Sequence, residues 1–339
     1  MSSITLDTYH PRNPQASPLW QILDRHYKEF ERGYEERYET RYGFFRSIIS
    51  EVVSEYLDCG DLRNGFARVR CPDCYEEYLL AFSCKGRCFC PSCHAKKVVQ
   101  FGGLLKDTVL YPVPHRQYVF SLPIMLRIYF KYDRSLLSKL CRCAYESLLD
   151  FLRISIGLEE DVPGVVMAIQ TFGDYVDRFH PHLHALVSDG LFTDSGTFYV
   201  MPKVSLKPLE KLFRARIFNM LKEEGKIGDE LINKLMSWRH SGFNVHNKVR
   251  IERDDEEGRE ALGQYIIRNS FSVERLSYIK ETGSVIYRSK MTHGENKRNF
   301  QVYSAEEFIA GITQHIPEKS AQMVRYYGWY SKDSFQDLA

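Results

Sequence analysis

Phe179-His180-Pro181-His182-Leu183-His184-Ala185-Leu186-Val187 is the stretch on which the reading of this chain turns. Its apolar residues mark a buried β-strand, and side chains on a strand alternate faces. His182 and His184 therefore share one face, and Leu183 turns to the core between them. Two imidazoles on one face of a rigid strand can hold a single metal ion. Taken alone, His-x-His spacing fits satisfied core or surface histidines just as well. Its weight comes from what surrounds it.

Working outward, Val165 to Phe172 reads as a second strand, and the turn through Gly173 and Asp174 makes the two a hairpin. Asp189-Gly190 marks the next turn. Upstream, Gln117 to Leu122 reads as a strand and Ser135 to Ile154 as an amphipathic helix. Downstream lie a helical region from Leu206 to Met236, a strand from Phe243 to Ile251, and a helix from Glu256 to Arg268. Acidic residues at the start of that last helix suit its dipole. A hairpin around Glu281-Thr282-Gly283-Ser284 and a helix from Ala305 to His315 follow. Toward the N-terminus, apolar residues recur every three or four positions from Leu19 to Leu57, and a helix from Ala95 to Val109 ends before Pro112 and Pro114. No internal repeat or low-complexity tract interrupts the chain. The expected organisation is a helical segment over 1–57, a cysteine-rich domain with its exit helix over 58–110, and a catalytic domain over 111–339.

With 339 residues and 44% hydrophobic content the chain can bury a sizeable core. Its formal net charge of +2 means that any nucleic-acid-binding surface must be local. The chain has no apolar run of about eighteen residues, and Met1 to Pro18 lacks a signal-peptide layout. A soluble cytoplasmic protein without a membrane partner is expected. In a reducing compartment its nine cysteines point to thiolate metal ligation ahead of a disulfide framework.

Seven of the nine fall between positions 59 and 93: Cys59, Cys71-Pro72-Asp73-Cys74, Cys84, Cys88 and Cys90-Pro91-Ser92-Cys93. Two Cys-x-x-Cys knuckles at this spacing match a zinc ribbon, with Cys71, Cys74, Cys90 and Cys93 around one tetrahedral Zn²⁺. Cys59, Cys84 and Cys88, with His94 nearby, are left for a second ion, so the count is one or two. A closed site of this kind folds a small module, here displaying Lys85, Arg87, Lys96 and Lys97 for phosphate contacts. Cys141 and Cys143 lie in a helical stretch and read as packing residues.

Three elements then line up in order. The cysteine module with Phe82-Ser83-Cys84-Lys85 precedes Gln170-Thr171-Phe172-Gly173 and His180-Pro181-His182-Leu183-His184; Leu262-Gly263-Gln264-Tyr265-Ile266-Ile267-Arg268 follows, then Tyr326-Tyr327-Gly328. Over most of its length the chain resembles the rolling-circle transposases of the insertion-sequence-ninety-one group, members of the HUH endonuclease superfamily. The resemblance implies an α+β fold: a helical segment and a small zinc-ribbon-like domain, then an antiparallel sheet with flanking helices. In that sheet the histidine strand is central and the tyrosine helix lies beside it. It also implies that Tyr265 is the nucleophile and that the products are a 5′-phosphotyrosine link and a free 3′-hydroxyl on single-stranded DNA at transposon ends. Many relatives carry a second tyrosine four residues after the first; here that position is Asn269, which points to a single-tyrosine variant.

The residues support this chemistry in their own right. A phosphodiester repels nucleophiles, and a divalent ion on His182 and His184 offsets charge in the transition state. Mg²⁺ or Mn²⁺ suits such a site, with Gln170 the first candidate for a third ligand and His180 its competitor. The Tyr265 phenol attacks phosphorus, and Arg268, one helical turn away, clamps the phosphate. Arg239, His240, His246, Lys248 and Arg250 border a strand and either track phosphates or are solvated surface. Tyr278, Tyr326 and Tyr327 are the reserve nucleophiles. Three other readings stay open: a plasmid replication initiator or relaxase of the same chemistry, a non-catalytic zinc-dependent DNA-binding protein, and a metallohydrolase that activates water. A homo-oligomer and association with the nucleoid are compatible with all of the DNA-acting readings.

Overall fold

The computed structural model describes residues 13–86, 88–289 and 299–331. The stretch expected to be one helical run is four helices: α1 (Pro18–Arg32), α2 (Tyr34–Arg37), α3 (Glu39–Tyr42) and α4 (Ile48–Asp58). Gly33 caps α1, and Gly43 ends α3 at φ 89, a backbone that side-chain-bearing residues avoid. Tyr27, Phe30, Tyr34, Tyr38 and Tyr42 still form a buried row across these breaks. A hairpin follows, β1 (Phe66–Arg70) and β2 (Glu77–Ala81), and then α5 (Pro91–Leu104) runs into a single π turn, Leu105–Val109.

The next elements are β3 (His115–Ser121), α6 (Ile124–Tyr132), α7 (Leu136–Ile156), β4 (Gly164–Gln170), β5 (His182–Ser188), β6 (Gly190–Phe192) and β7 (Phe198–Val200). The long helix expected from Leu206 to Met236 is two, α8 (Lys207–Glu223) and α9 (Asp229–Ser237), parted at Gly225 (φ 65) and Gly228. β8 (Asn244–His246) and β9 (Arg250–Ile251) lead to α10 (Glu256–Ile266). The chain closes with β10 (Leu276–Ile279), β11 (Ser284–Arg288), β12 (Phe300–Ser304), α11 (Ala305–Thr313) and β13 (Val324–Gly328). Among the described residues no helix is long and apolar enough to cross a membrane.

Two compact units result. One comprises the chain through His94 together with Phe271–Ile316; the other comprises Ala95–Ser270 and the segment from Pro317 onward. Residues 271–316, grouped with the catalytic domain on sequence, thus pack with the N-terminal helices. The His26 ring nitrogen lies 2.8 Å from the Tyr278 hydroxyl, Arg37 pairs with Glu306, and Arg46 donates to the Thr313 and Ile316 carbonyls.

In the second unit the main sheet has the order β13-β4-β5-β3-β8, with β9 also paired to β3. Every pairing in it is antiparallel, and the histidine strand β5 lies at the centre. On one face Leu183, Ala185 and Val187 join Tyr118, Phe120, Val165, Met167 and Ile169 under α7 and α8. On the other face Val166, Ala168 and Leu186 pack with Leu262 and Ile266 of α10 and with Leu105 and Val109 of the π turn. Both faces being apolar at their centres, a one-residue slip of β5 would drive two histidines into the α7 core, so its register is strongly specified.

Two glycines bring α10 close to α5. A Cβ on Gly102 would lie 2.6 Å from Gln264 Cγ and 3.0 Å from the Glu260 carbonyl oxygen, and one on Gly263 would lie 2.9 Å from Leu105 Cδ1. No larger residue fits this crossing without movement. Lys106 Nζ to Glu260 Oε2, 3.0 Å, pins its edge. At the N-terminus of α10, Asp255 accepts from the Gly258 N–H, and Glu256 and Glu257 sit in the first turn.

His115 is wholly buried on the α10 face of β3, its Nε2 2.6 Å from the Tyr330 hydroxyl. Burial pushes its pKa down from 6.5 to about 4. The unfolded state therefore takes up the proton first, and stability present above pH ~6.5 is lost toward pH ~4 at up to ~1.4 kcal/mol per pH unit. His115→Gln should flatten the pH dependence of denaturant unfolding in this window by about one proton. An unchanged slope would show that His115 carries no such term.

Candidate functional site

The cysteine cluster lies in the first unit. Cys59 follows α4, Cys84 follows β2, and Cys90 and Cys93 stand at the start of α5. Their sulfurs are 3.9 Å (Cys59–Cys90), 3.7 Å (Cys59–Cys93) and 3.7 Å (Cys84–Cys93) apart, and all four lie within 4.8 Å of one another. Zn–S bonds of about 2.3 Å in a tetrahedron require sulfurs roughly 3.8 Å apart, so the set fits zinc. The Cys84 N–H reaches Cys59 Sγ and the Gly86 N–H reaches Cys84 Sγ, each at 3.3 Å. Hydrogen bonds from Cys84 and Cys90 hold the Cys59 thiol well below its ordinary range, while the same pairing pushes Cys84 and Cys90 up. Four thiolates packed this closely repel one another, and a dication offsets that charge.

This partition differs from the expected one. Cys71 and Cys74 do not join Cys90 and Cys93; they occupy the turn between β1 and β2, where the Cys71 N–H bonds the Glu76 carbonyl and the Tyr75 N–H bonds the Cys71 carbonyl. The hairpin is the reason. Its base, closed by Gly60 N–H to the Phe82 carbonyl, brings Cys59 and Cys84 together, and five strand residues carry its tip roughly 17 Å away. The Cys88 N–H meets His94 Nδ1 at 3.1 Å. Lys85, Lys96 and Lys97 are exposed, and Arg87 lies outside the described residues.

The second unit holds the histidine site, with Gln170 directly opposite His182 in the β4–β5 register. Gln170, His182 and His184 are 2%, 7% and 4% exposed. The His180 and His182 rings are 4.8 Å apart, the His182 and His184 rings 5.0 Å. His182 Nδ1 is 2.8 Å from the His180 carbonyl oxygen and so donates to it, which leaves the Nε2 lone pair free. His184 Nε2, His180 Nε2 and Gln170 Oε1 are buried and have no hydrogen-bond partner among the described residues. Buried polar atoms left this way cost about 1–3 kcal/mol each unless a ligand engages them. Burial pushes His182 down to about 4 and His180 and His184 to about 3, so all three are neutral donors near pH 7. Two imidazole nitrogens and an amide oxygen are donor types that a divalent cation takes, whereas His180, His182 and His184 do not gather as a three-nitrogen set among the described residues.

Tyr265 stands on α10 against this site. Its ring is edge-on to His184, centroids 5.5 Å apart and planes at 83°, and it is 42% exposed. The Arg268 guanidinium carbon lies 4.7 Å from the Tyr265 ring centre and 5.7 Å from that of Phe172. Gln170 Nε2 donates to the Ile266 carbonyl at 2.8 Å, tying the sheet to the residue after the tyrosine. The permanent charges acting on the three histidines are the guanidinium groups of Arg127 and Arg268. Such surroundings favour an anionic ligand.

The reserve tyrosines stand elsewhere. Tyr326 and Tyr327 pair with Val166 and Val165 on the sheet edge, and Tyr327 stacks on Tyr145 at 4.6 Å. Of the basic positions near β8, Arg239, His240, His246 and Lys248 are exposed, whereas Arg250 joins Arg116 on buried Asp189. His246 faces Val119 across β3, and Val119 faces His184, so all three share one side of the sheet. Gln117, read on sequence only as the start of a strand, is buried beside His184; no local motif marked it.

The Y2_Tnp family, described as "Putative transposase", matches residues 164–336, just over half of the chain. The Zn_Tnp_IS91 "Transposase zinc-binding domain" matches residues 23–122. The chain is 26% identical over 306 residues to the transposase for insertion sequence element IS801 of Pseudomonas savastanoi pv. phaseolicola, covering 85% of this chain and 71% of that one. It is also 26% identical over 321 residues to "Putative transposase y4qJ" of Sinorhizobium fredii (strain NBRC 101917 / NGR234), covering 88% and 78%. No solved structure gives a significant match.

Replacing Cys59, Cys84, Cys90 or Cys93 with Ser should remove one zinc equivalent per chain, as read by elemental mass spectrometry of the purified protein. Cys74→Ser should keep that equivalent. Equal loss from Cys74→Ser and Cys59→Ser would return Cys74 to the same ligand set.

Proposed function

Because the chain belongs to the Y2_Tnp transposase family and carries an IS91-type zinc-binding domain, we propose that it acts on DNA as an HUH-type nuclease. In this reading it nicks and rejoins single strands at the ends of a mobile element through Tyr265. The observation that carries the reading is the Tyr265 ring set against His184, in a pocket whose charged neighbours are cationic.

The phenol oxygen of Tyr265 attacks the scissile phosphorus. One O–P bond forms to the tyrosine, the bond from phosphorus to the 3′ oxygen breaks, and the phenol proton is accounted for on the released 3′-hydroxyl. The phosphotyrosine link keeps the bond energy, and attack by a 3′-hydroxyl reverses the step and joins strands. Arg268, close to both the Tyr265 and Phe172 rings, is placed to pair with the phosphate as the phenol approaches. His182, His184 and Gln170 would hold the divalent ion, Mg²⁺ or Mn²⁺, and when bound it offsets negative charge on the non-bridging oxygens. Gln170 has a second task in this scheme. Its amide N–H on the Ile266 carbonyl holds the last turn of α10 against the sheet, which limits where the phenol can go.

With Asn269 where many relatives carry a second tyrosine, one phenol serves each strand transfer. Relaxases and replication initiators share this chemistry; the zinc-binding domain and the family favour the transposase. The zinc unit would add phosphate contacts through Lys85, and Lys96 and Lys97 would do the same along α5.

The test is incubation of purified protein with labelled single strands from either end of its element, with Mg²⁺ or Mn²⁺, followed by peptide mass mapping of any adduct. Wild type should give a DNA-linked peptide containing Tyr265, and Tyr265→Phe should lose cleavage by about a thousandfold or more. Undiminished cleavage by Tyr265→Phe would indicate attack by water instead. Gln170→Glu keeps an oxygen ligand but no donor for the Ile266 carbonyl. It should bind Mn²⁺ at least as tightly as wild type while adduct formation falls about 10- to 100-fold.

A further inference from the structure

The edge strand β8 shares a sheet face with the histidines, and the proposed reaction gives it no task. Its apolar residues Phe243 and Val245 are buried in the core under α7 and α8. Asn244 and His246 alternate with them on the opposite face; both are exposed, and neither side chain has a hydrogen bond or ion pair among the described residues. In the register of the sheet, Ser121 of β3 stands between His182 and Asn244, and Val119 stands between His184 and His246. Two rows therefore cross one face of the sheet, each running from a histidine of the pair to an exposed polar side chain two strands away, about 10 Å at ordinary strand spacing. Along β8 these two side chains stand roughly 6.8 Å apart, comparable to the reach of one nucleotide in an extended strand. His246 is near enough for its charge to act on both His182 and His184, and the charge of exposed Lys248 acts on His246 in turn. An amide N–H, an imidazole N–H and an ammonium group are all donors to phosphate oxygens.

The direction of attack decides which part of a DNA strand lies there. α10 packs on Val166 and Ala168 of β4 and Leu186 of β5, so the Tyr265 phenol comes from that side of His184. In phosphoryl transfer the attacking and leaving oxygens stand roughly in line through phosphorus. The 3′ oxygen is therefore expelled away from α10, and the strand it belongs to continues across β3 toward β8.

We infer that Asn244 and His246 form a phosphate-binding track for the DNA segment that ends in the released 3′-hydroxyl, and that this track keeps the segment beside the site for rejoining. The inference rests on the nuclease reading above for the polarity of the strand, and on sheet register for the track itself.

The test uses full-length protein and fluorescence anisotropy with labelled single strands from the ends of its element. The double variant Asn244→Ala with His246→Ala should bind an intact end strand about tenfold more weakly than wild type, and His246→Gln, which keeps a donor, should stay within about twofold. The strand is then supplied as two halves divided at the mapped nick. The double variant should lose about tenfold for the half that ends in the 3′-hydroxyl and less than about twofold for the other. After cleavage by the double variant, the 3′-hydroxyl segment should leave about tenfold faster than from wild type. Equal affinity of wild type and double variant for the intact strand overturns the inference, as does a loss for the other half that equals or exceeds the loss for the 3′-hydroxyl half. If the intact strand binds through Asn244 and His246 but no Tyr265 adduct ever forms, the track is supported and the nuclease reading is the one that fails.

Discussion

The candidate site depends on the burial of one strand from both sides. β5 runs through the middle of an antiparallel sheet, and Leu183, Ala185 and Val187 are locked into the core beneath α7 and α8. Period-two alternation then leaves His182 and His184 no choice but the opposite face. There the apolar layer under α10 closes over Leu186 but stops short of the histidines. Desolvation keeps the imidazoles neutral, which is the protonation state a metal ligand needs. Packing on one face thus sets the chemistry available on the other.

The position of Tyr265 follows from helix packing rather than from the strand. Gly102 and Gly263 allow α5 and α10 to approach within the space of a missing Cβ, and Leu262 and Ile266 fill the sheet side of α10. A helix held so closely on two sides presents its remaining face in a restricted direction, and Tyr265 lies on that face with half-open access. Gln170 connects the two systems, since its amide N–H bonds the end of the helix from a strand position opposite His182. The sheet carries the histidines and the helix carries the phenol. One buried amide spans the distance between them.

In the zinc-binding unit a hairpin plays the corresponding organising part. Two strands of five residues separate what lies at the base from what lies at the tip, and only the base is within reach of the α5 cysteines. Four thiolates at these separations repel one another, so the geometry is stable in its thiolate form only around a cation. Charge and spacing point to the same ligand set.

Much of this was legible in the residues. The alternation in His180–Val187 placed the histidines on one face, the turn at Gly173 paired their strand with the one that carries Gln170, and the acidic start of α10 located the tyrosine helix; these are signals of local period and turn chemistry. Breaks in regular structure were harder to see, because Gly33, Gly43 and Gly225 end helices whose apolar period continues past them. The cysteine partition was not legible at all: Cys-x-x-Cys spacing is identical whether a knuckle meets its twin or lies at the far end of a hairpin. The same holds for Gln117, which reaches His184 only because β3 and β5 pair in one register, and for residues 271–316, whose packing against the N-terminal helices spans more than two hundred positions. Sequence by itself determined which side chains are candidates for the chemistry and the face each takes on its own element. Which of those faces meet was decided by tertiary structure, because contact between distant elements depends on strand register and helix approach, and neither leaves a periodic mark on the chain.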